Sequence, residues 1–571
     1  MFLSRRQFLK ISAGTVAAVA VADKVLALTA LQPVIEVGNP LGDYPDRSWE
    51  RVYHDQYRYD SSFTWCCSPN DTHACRIRAF VRNGVVMRVE QNYDHQTYED
   101  LYGNRGTFAH NPRMCLKGFT FHRRVYGPYR LKGPLMRKGW KAWMDDGSPE
   151  LTPDTKRKYK FDSRFLDDML RVSWDTAFTY AAKAYIIIAT RYSGEAGARR
   201  LREQGYAPEM IEMMKGAGTR CFKHRAGMPV LGILGKMGNT RMNGGINALL
   251  DSWIRKVGPE QAQGGRYWSN YTWHGDQNPA QPWWSGAQGS DIDLSDMRFS
   301  KLNTSWGKNF VENKMPEAHW KLECIERGAR VVVITPEYNP TAYRADYWMP
   351  LRPESDGALF LGAMKIIVDE NMHDIDFLKS FTDAPILVRT DTLQYLDPRD
   401  VVKDYAFPDF SKSYSGRMQS LKPEQIERLG GMMVWDLNKK AAVPLHREQV
   451  GWHYTNSGID AALNGTFRVK LLNGREIDVM PVWQMYLVHF QDYDLDTTHQ
   501  ICRTPKDLIV RWARDSGTIK PAAIHNGEGT CHYFHQTINA RGAAMVLIIT
   551  GNVGKFGTGQ HTWAGNYKAG T

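Results

Sequence analysis

Apolar residues fall along this chain in short runs broken by glycine, proline and charge. Ile77, Phe80 and Val81 are interleaved with polar residues, stop at Asn83-Gly84, and are followed by Val85-Val-Met-Arg-Val89. Alternation closed by Asn-Gly predicts a strand, a tight hairpin and a returning partner. Arg330-Val-Val-Val-Ile334 predicts a buried strand, and Leu302–Ser305 a less apolar one running into Trp306-Gly307. Ala543-Ala-Met-Val-Leu-Ile-Ile549 reads by its length as another buried strand. It feeds the glycine-rich stretch Thr550–Gly559, where backbone can approach a ligand closely. Residues 266–290 are too dense in proline and glycine for a regular element and predict a loop of fixed turns. The order of strands and loops predicts a multidomain α/β chain. Its 571 residues exceed a single hydrophobic core and suggest about three or four domains.

The first residues follow a different pattern. Ser4-Arg5-Arg6-Gln7-Phe8-Leu9-Lys10 precedes a weakly apolar run, Ile11 to Ala22, rich in small residues. A basic head before such a run is the layout of a secretory signal, and the arginine pair narrows it to the twin-arginine type. The run is too short and too rich in alanine for a permanent span. Export of a folded chain is useful when a cofactor can be inserted only inside the cell.

Composition adds limits. The formal charge of +12 accompanies no polybasic run and no nucleic-acid motif, so a phosphate-bearing cofactor or a small anionic substrate suits it better than nucleic acid. Eight cysteines in this length are not a disulfide framework. Cys221, Cys324, Cys502 and Cys531 are scattered, whereas Cys66, Cys67, Cys75 and Cys115 share one stretch.

Within that stretch Cys67, Asp71 and Cys75 recur every four residues, and Cys115-Leu-Lys117-Gly118 follows. Three close ligands and one remote ligand suit a [4Fe-4S] cluster, whose irons need donors from several directions. A zinc site from Cys67, His73, Cys75 and Cys115 is an alternative but lacks paired C-x-x-C knuckles. A disulfide between neighbouring cysteines after export is another.

The segment resembles the N-terminal iron–sulfur domain of the molybdopterin oxidoreductases of the dimethyl sulfoxide reductase superfamily. Their motif is matched at Cys67, Cys75, Cys115, Lys117 and Gly118, while Asp71 stands where a cysteine is usual. A carboxylate can still ligate iron, as a harder donor. The resemblance places Lys117 between cluster and pterin, on the electron path. Further on, Trp273-His274-Gly275-Asp276-Gln-Asn278-Pro279 and Pro282 resemble the loop that supplies an aspartate to molybdenum in the nitrate-reductase-like branch. This implies Asp276 as metal ligand, with His274 and Asn278, and also Trp273, near the substrate.

The same resemblance implies guanine dinucleotide contacts at strand ends: Trp306, Gly307, Lys308 and Asn309; Thr335, Pro336 and Glu337; Arg352 and Asp356. It also implies pterin or phosphate contacts at Gly557 and Gly559. The implied cofactors are molybdenum bis(molybdopterin guanine dinucleotide) and one [4Fe-4S] cluster.

The implied architecture is a signal at 1–30, a small β-rich iron–sulfur domain at 45–140, and interleaved α/β domains around the molybdopterin. The first of these is 141–275 with 505–571, and the second is 276–504. A final domain is expected to be missing, because the match covers only the N-terminal half of a typical member.

Asp71 and the Trp563–Lys568 run most resemble catalytic subunits of periplasmically oriented nitrite oxidoreductases. That implies oxygen-atom transfer between nitrite and nitrate, with electrons leaving through the cluster to an iron–sulfur beta subunit and a haem-bearing subunit or cytochrome. Membrane association would come only through those partners. Exported chlorate, perchlorate, selenate and nitrate reductases, ethylbenzene-type hydroxylases and a non-catalytic metal-binding fragment remain alternatives.

Overall fold

The computed structural model describes residues 50, 54–55, 57–67, 75–92, 113–163, 165–226, 238, 241–269, 294–413, 419–429, 431–531 and 533–561. The signal segment, Asp71, His73, residues 270–293 with His274, Asp276 and Asn278, and the Trp563–Lys568 run lie outside the described residues. The chain is a multidomain α/β protein whose contacts divide into two compact units.

The first unit is a three-stranded antiparallel sheet. Strand β1 (Ser61–Cys67) pairs with β2 (Cys75–Arg82), and β2 with β3 (Val85–Gln91). The β2–β3 turn is the expected hairpin: Asn83 and Gly84 take φ of 50° and 76°, the left-handed pair that matches strand twist. Ile77, Ala79 and Val89 are buried together with Cys67, Cys75 and Met114. Helix α1 (Leu116–Val125) follows, with Cys115 as its N-cap. Gly118 is required where it stands, because a Cβ there would meet Met114 Cγ at 2.5 Å.

The second unit is organised on a five-stranded parallel sheet. Its strands are β4 (Leu302–Trp306), β5 (Arg330–Thr335), β6 (Tyr347–Pro350), β7 (Ala522–Asn526) and β8 (Gly559–His561), in the order β6-β5-β4-β7-β8. Strands from 302–350 and from 522–561 therefore share one sheet, across the boundary drawn between residues 504 and 505. One face carries Leu302, Trp306, Val332, Ile334 and Ile524 into the main core. Helices α3 (Asp356–Asp369), α4 (Lys506–Thr518) and α5 (Gln536–Ile549) add much of that core, including Leu359, Phe360, Trp512, Val546 and Leu547. Full burial of each large apolar side chain contributes about 1.5–3 kcal/mol. On the opposite face lies α2 (Ala318–Glu326), bonded to β4 through Lys321.

Two expectations are wrong. Arg266–Ser269, included in the irregular loop, is a short strand paired in parallel with Lys223–Ala226, because the prolines and glycines of that stretch begin only after it. Ala543–Ile549 is not a strand but the C-terminal half of α5. The helix is buried on most sides, at Asn539, Ala540, Ala543, Ala544, Val546, Leu547 and Ile549, so its apolar run shows no 3.6-residue stripe and mimics a core strand. Gly551 ends it at φ 68°, with Gly551 N donating to Ile548 O and Asn552 N to Leu547 O. That is a Schellman stop.

Candidate cofactor site at the strand ends

In the first unit, Cys67 and Cys75 face each other as the last cross-strand pair of β1 and β2, and both are buried. Asp71 falls between them in sequence, outside the described residues. Cys115 sits at the amino end of α1 as its N-cap. The donor types therefore suit a thiolate-bound cluster. Among the described residues, however, no three metal-ligating side chains already converge. Lys117 is exposed on the first turn of α1.

In the second unit, a cavity of about 210 Å³ opens at the carboxyl ends of β4 and β5, the end of a parallel sheet where ligands bind. Its walls bring together Gly307, Asn309, Thr335, Pro336, Glu337 and Asp356 from three separate passages of sequence. Lys308, Asn339, Gly529, Thr530 and Tyr533 also line it. Of these, Asn339, Gly529, Thr530 and Tyr533 were not expected from the sequence. The Gly527-Glu-Gly529 step just after the Ala-Ala-Ile strand was the available signal for the last three.

Asp356 opens α3 and is buried. It accepts from Trp306 Nε1 at 2.6 Å and from Asn539 Nδ2 at 3.4 Å. Burial raises its carboxyl above the ordinary value, against the Trp306 bond that lowers it. Trp306 itself is fully buried and does not line the cavity; its Nε1–H is spent on Asp356.

Other candidates serve the local fold. Asn309 caps the turn Phe310–Asn313, accepting from Glu312 N and from Thr341 Oγ1 at 2.9 Å. Thr335 Oγ1 donates to Glu337 O at 2.7 Å and accepts from Trp348 Nε1.

Gly307 shows why glycine is needed here. Its φ is +58°, and a Cβ would stand 2.5 Å from Thr530 Cγ2. Arg352 is exposed between the lining residues Leu351 and Pro353 and does not itself line the cavity. Gly557 and Gly559 do not line it either. At Gly557 the constraint is protein backbone, since a Cβ would meet Phe299 C at 2.6 Å, and Gly557 N donates to Asp296 Oδ2 at 2.5 Å.

The family model for molybdopterin oxidoreductases matches residues 130–567. The chain belongs to that family. As a molybdopterin oxidoreductase it is expected to use a molybdenum–molybdopterin cofactor. Residues 3–22 match the twin-arginine translocation signal, which directs export to the periplasm or its equivalent. No helix among the described residues is long and apolar enough to cross a membrane.

The chain is 26% identical to the perchlorate reductase alpha subunit of Dechloromonas aromatica, over 99% of this chain and 52% of that protein. It is 27% identical to the respiratory nitrate reductase alpha subunit of Haloferax mediterranei, over 96% of this chain and 47% of that one. It is 24% identical to the respiratory nitrate reductase 2 alpha chain of Escherichia coli, over 92% and 45%. The chain thus spans about half the length of the curated relatives it matches.

Proposed function

We propose that this molybdopterin oxidoreductase is the catalytic subunit of an exported enzyme that moves an oxygen atom between nitrite and nitrate. The observation that carries the cofactor side of this reading is the convergence of Gly307, Asn309, Thr335, Glu337 and Asp356 on one strand-end cavity. There Asp356 would hold the edge of a guanine, and the glycine at 307 lets backbone approach the nucleotide. The molybdenum bis(molybdopterin guanine dinucleotide), when bound, supplies oxygen-atom transfer and accepts the two electrons.

Asp276 would hold the metal, with His274 and Asn278 orienting the anion beside it. Cys67, Asp71, Cys75 and Cys115 would hold one [4Fe-4S] cluster. Lys117 would place a positive charge on the electron path toward an iron–sulfur beta subunit and a haem-bearing partner. Relatives named for perchlorate and nitrate reduction support an oxyanion substrate. Nitrite is favoured over the others by Asp71 within the cysteine motif and by the Trp563–Lys568 run.

The test is turnover of the assembled, exported enzyme with nitrite against chlorate, perchlorate, selenate and ethylbenzene. Nitrite-dependent reduction of an electron acceptor, exceeding oxidation of ethylbenzene, is expected. Its absence in a molybdenum-replete preparation would sink the nitrite reading and leave the oxyanion reductases in place.

A further inference from the structure

The stretch of chain around helix α1 has an unusual charge pattern. From Leu101 to Met144 it carries ten Lys and Arg and no Asp or Glu, where the average of 61 acids in 571 residues would place about five. The cations are spread out rather than consecutive, so the signal is the absence of acid.

In the first unit that absence leaves arginines unmatched. Elsewhere in the unit cations have acids beside them: Arg82 bonds Asp55 at 2.8 Å, and Arg88 lies 3.2 Å from Glu90. Arg123, Arg124 and Arg130 are exposed and have no carboxylate partner among the described residues. The last turn of α1 suits Arg123 and Arg124, because the helix dipole favours cations there. Arg130 lies beyond the helix, and the dipole does not account for it.

Apolar side chains share this surface. Leu116 is 73% exposed, Tyr129 95% and Leu131 65%, and Phe119 and Tyr126 are exposed as well. Leu116, Phe119 and Arg123 stand three and four residues apart, on one side of α1. The other side holds the helix to the sheet, through the buried Gly118 against Met114 and Ile77, and through Phe121, whose ring lies 5.4 Å from that of Trp65. Beyond the helix, Tyr126 Oη accepts from Val86 N at 3.0 Å, and Arg130 N donates to Gly127 O. The exposed groups are therefore carried on a segment tied to β3.

Exposed aromatic and leucine side chains interleaved with arginine make the composition of a protein-binding face. Arginine in place of lysine favours carboxylates, which its planar fork meets with two bonds. Cys115 heads the same helix, and Phe119 stands about 6 Å further along its axis.

We propose that the face made by Phe119, Arg123, Arg124, Tyr129 and Arg130 docks an electron-carrier protein through a carboxylate-bearing surface of that partner. The inference rests on the reading of Cys115 as a cluster ligand in one respect: that reading makes the docked protein an electron carrier. The arginines without acids and the exposed aromatics make it an acidic protein.

The test uses the full-length exported protein. The probe is a plant-type [2Fe-2S] ferredoxin, an acidic carrier, with cytochrome c as the basic counterpart. Binding is read by calorimetry at stepped salt, and the iron content and melting point of each preparation are measured. Arg123→Glu with Arg124→Glu reverses charge on the face. Lys439→Glu with Lys440→Glu makes the same change of net charge on the exposed turn between the paired strands Gly431–Asp436 and Ala441–His446.

Ferredoxin binding is expected to weaken with salt and to fall at least tenfold in the arginine variant, with its melting point unchanged. The lysine variant should stay within twofold of wild type. Tyr129→Ser should weaken binding at least threefold, which long-range charge alone does not explain.

Equal losses in the two charge variants would overturn the proposal, because net charge rather than this face would then be at work. So would the absence of ferredoxin binding, binding of cytochrome c as tight as that of ferredoxin, or a loss seen only with a lowered melting point. Tighter binding to phosphatidylglycerol vesicles than to ferredoxin through the same arginines would overturn the protein assignment in favour of a lipid surface. An iron-free preparation that docks ferredoxin through Arg123 and Arg124 would overturn the carrier assignment and support the acidic partner.

Discussion

At Lys321 burial works against charge. The ammonium is pushed down from 10.5 to about 7, with desolvation the dominant cause. In the unfolded chain the group stays protonated up to its ordinary value, so between about 7 and 10.5 the unfolded state binds more protons than the folded one. The Lys321 contribution to the stability of the cofactor-free chain therefore rises with pH across that window, and the full cost of the buried charge is felt below it. Among its neighbours, His525 stays neutral across this window, while the Cys324 thiol, raised from 9.0 to about 11, acts in the opposite sense above pH 9 and is common to both chains. The stability advantage of Lys321→Met over wild type should be largest below pH 7 and shrink toward pH 10.5. Denaturant titrations at stepped pH read it, and a difference that does not change with pH contradicts the argument. Asp71 invites a separate residue-scale test. If it ligates iron, Asp71→Cys exchanges oxygen for thiolate, and the reduced cluster's paramagnetic resonance spectrum should change. An identical spectrum would remove Asp71 from the ligand set. The two residues differ in how readable they were. Asp71 stood out because motif spacing exposes a wrong atom type. Lys321 lies outside every motif, and only the fold shows that its helix turns it inward onto β4.

Elements meet at the strand ends by close backbone approach. Gly307 follows β4 and Gly527 follows β7, and a Cβ on Gly527 would come within 2.1 Å of Gly307 O. Two side chains would push these loops apart and remove the cavity wall they share with Thr530. At Gly307 the left-handed φ and the Thr530 contact are separable costs. Gly307→Ala should destabilise by about 1–3 kcal/mol from backbone strain alone, with the contact added to it. Adding Thr530→Ser removes Cγ2 while its Oγ keeps the bond to Gly527 O, so the double variant should recover the contact part and not the strain. Thermal or denaturant melts of the two variants measure this, and no recovery would mean that Thr530 moves aside freely. The strand-then-turn passages at 302–309, with Gly307, and at 330–337, with Pro336, were legible because burial and turn chemistry both leave marks in sequence. Helix α5 was not, since all-round burial erases the periodicity that separates a helix from a core strand. The glycines at 557 and 559 were legible as special positions but not as to cause. At Gly557 the close neighbour is the Phe299–Ser300 backbone rather than the strand-end cavity.

For the whole molecule, the twin-arginine signal and the buried polar groups point in the same direction. The signal addresses a route that carries folded chains. The second unit holds several groups that are unfavourable to bury unaided: the raised carboxyl of Asp356, the unmatched ammonium of Lys321 and the unpartnered His525 Nδ1. A ligand that binds only the folded state stabilises it in proportion to its affinity and concentration, and one that bonds Asp356 at the cavity wall also relieves the desolvation of that carboxyl. The loaded chain should therefore fold more completely than the empty one, which couples loading to export. Growth with tungstate in place of molybdate, or loss of pterin synthesis, should shift this protein from the periplasmic to the cytoplasmic fraction and raise its sensitivity to protease. Replacing both Arg5 and Arg6 by Lys should also retain it inside, but as loaded, protease-resistant protein. Measuring metal content and proteolysis in the two retained pools separates a missing address from a missing cofactor. Equal export of the empty chain would show that the fold closes over these buried charges without its ligand.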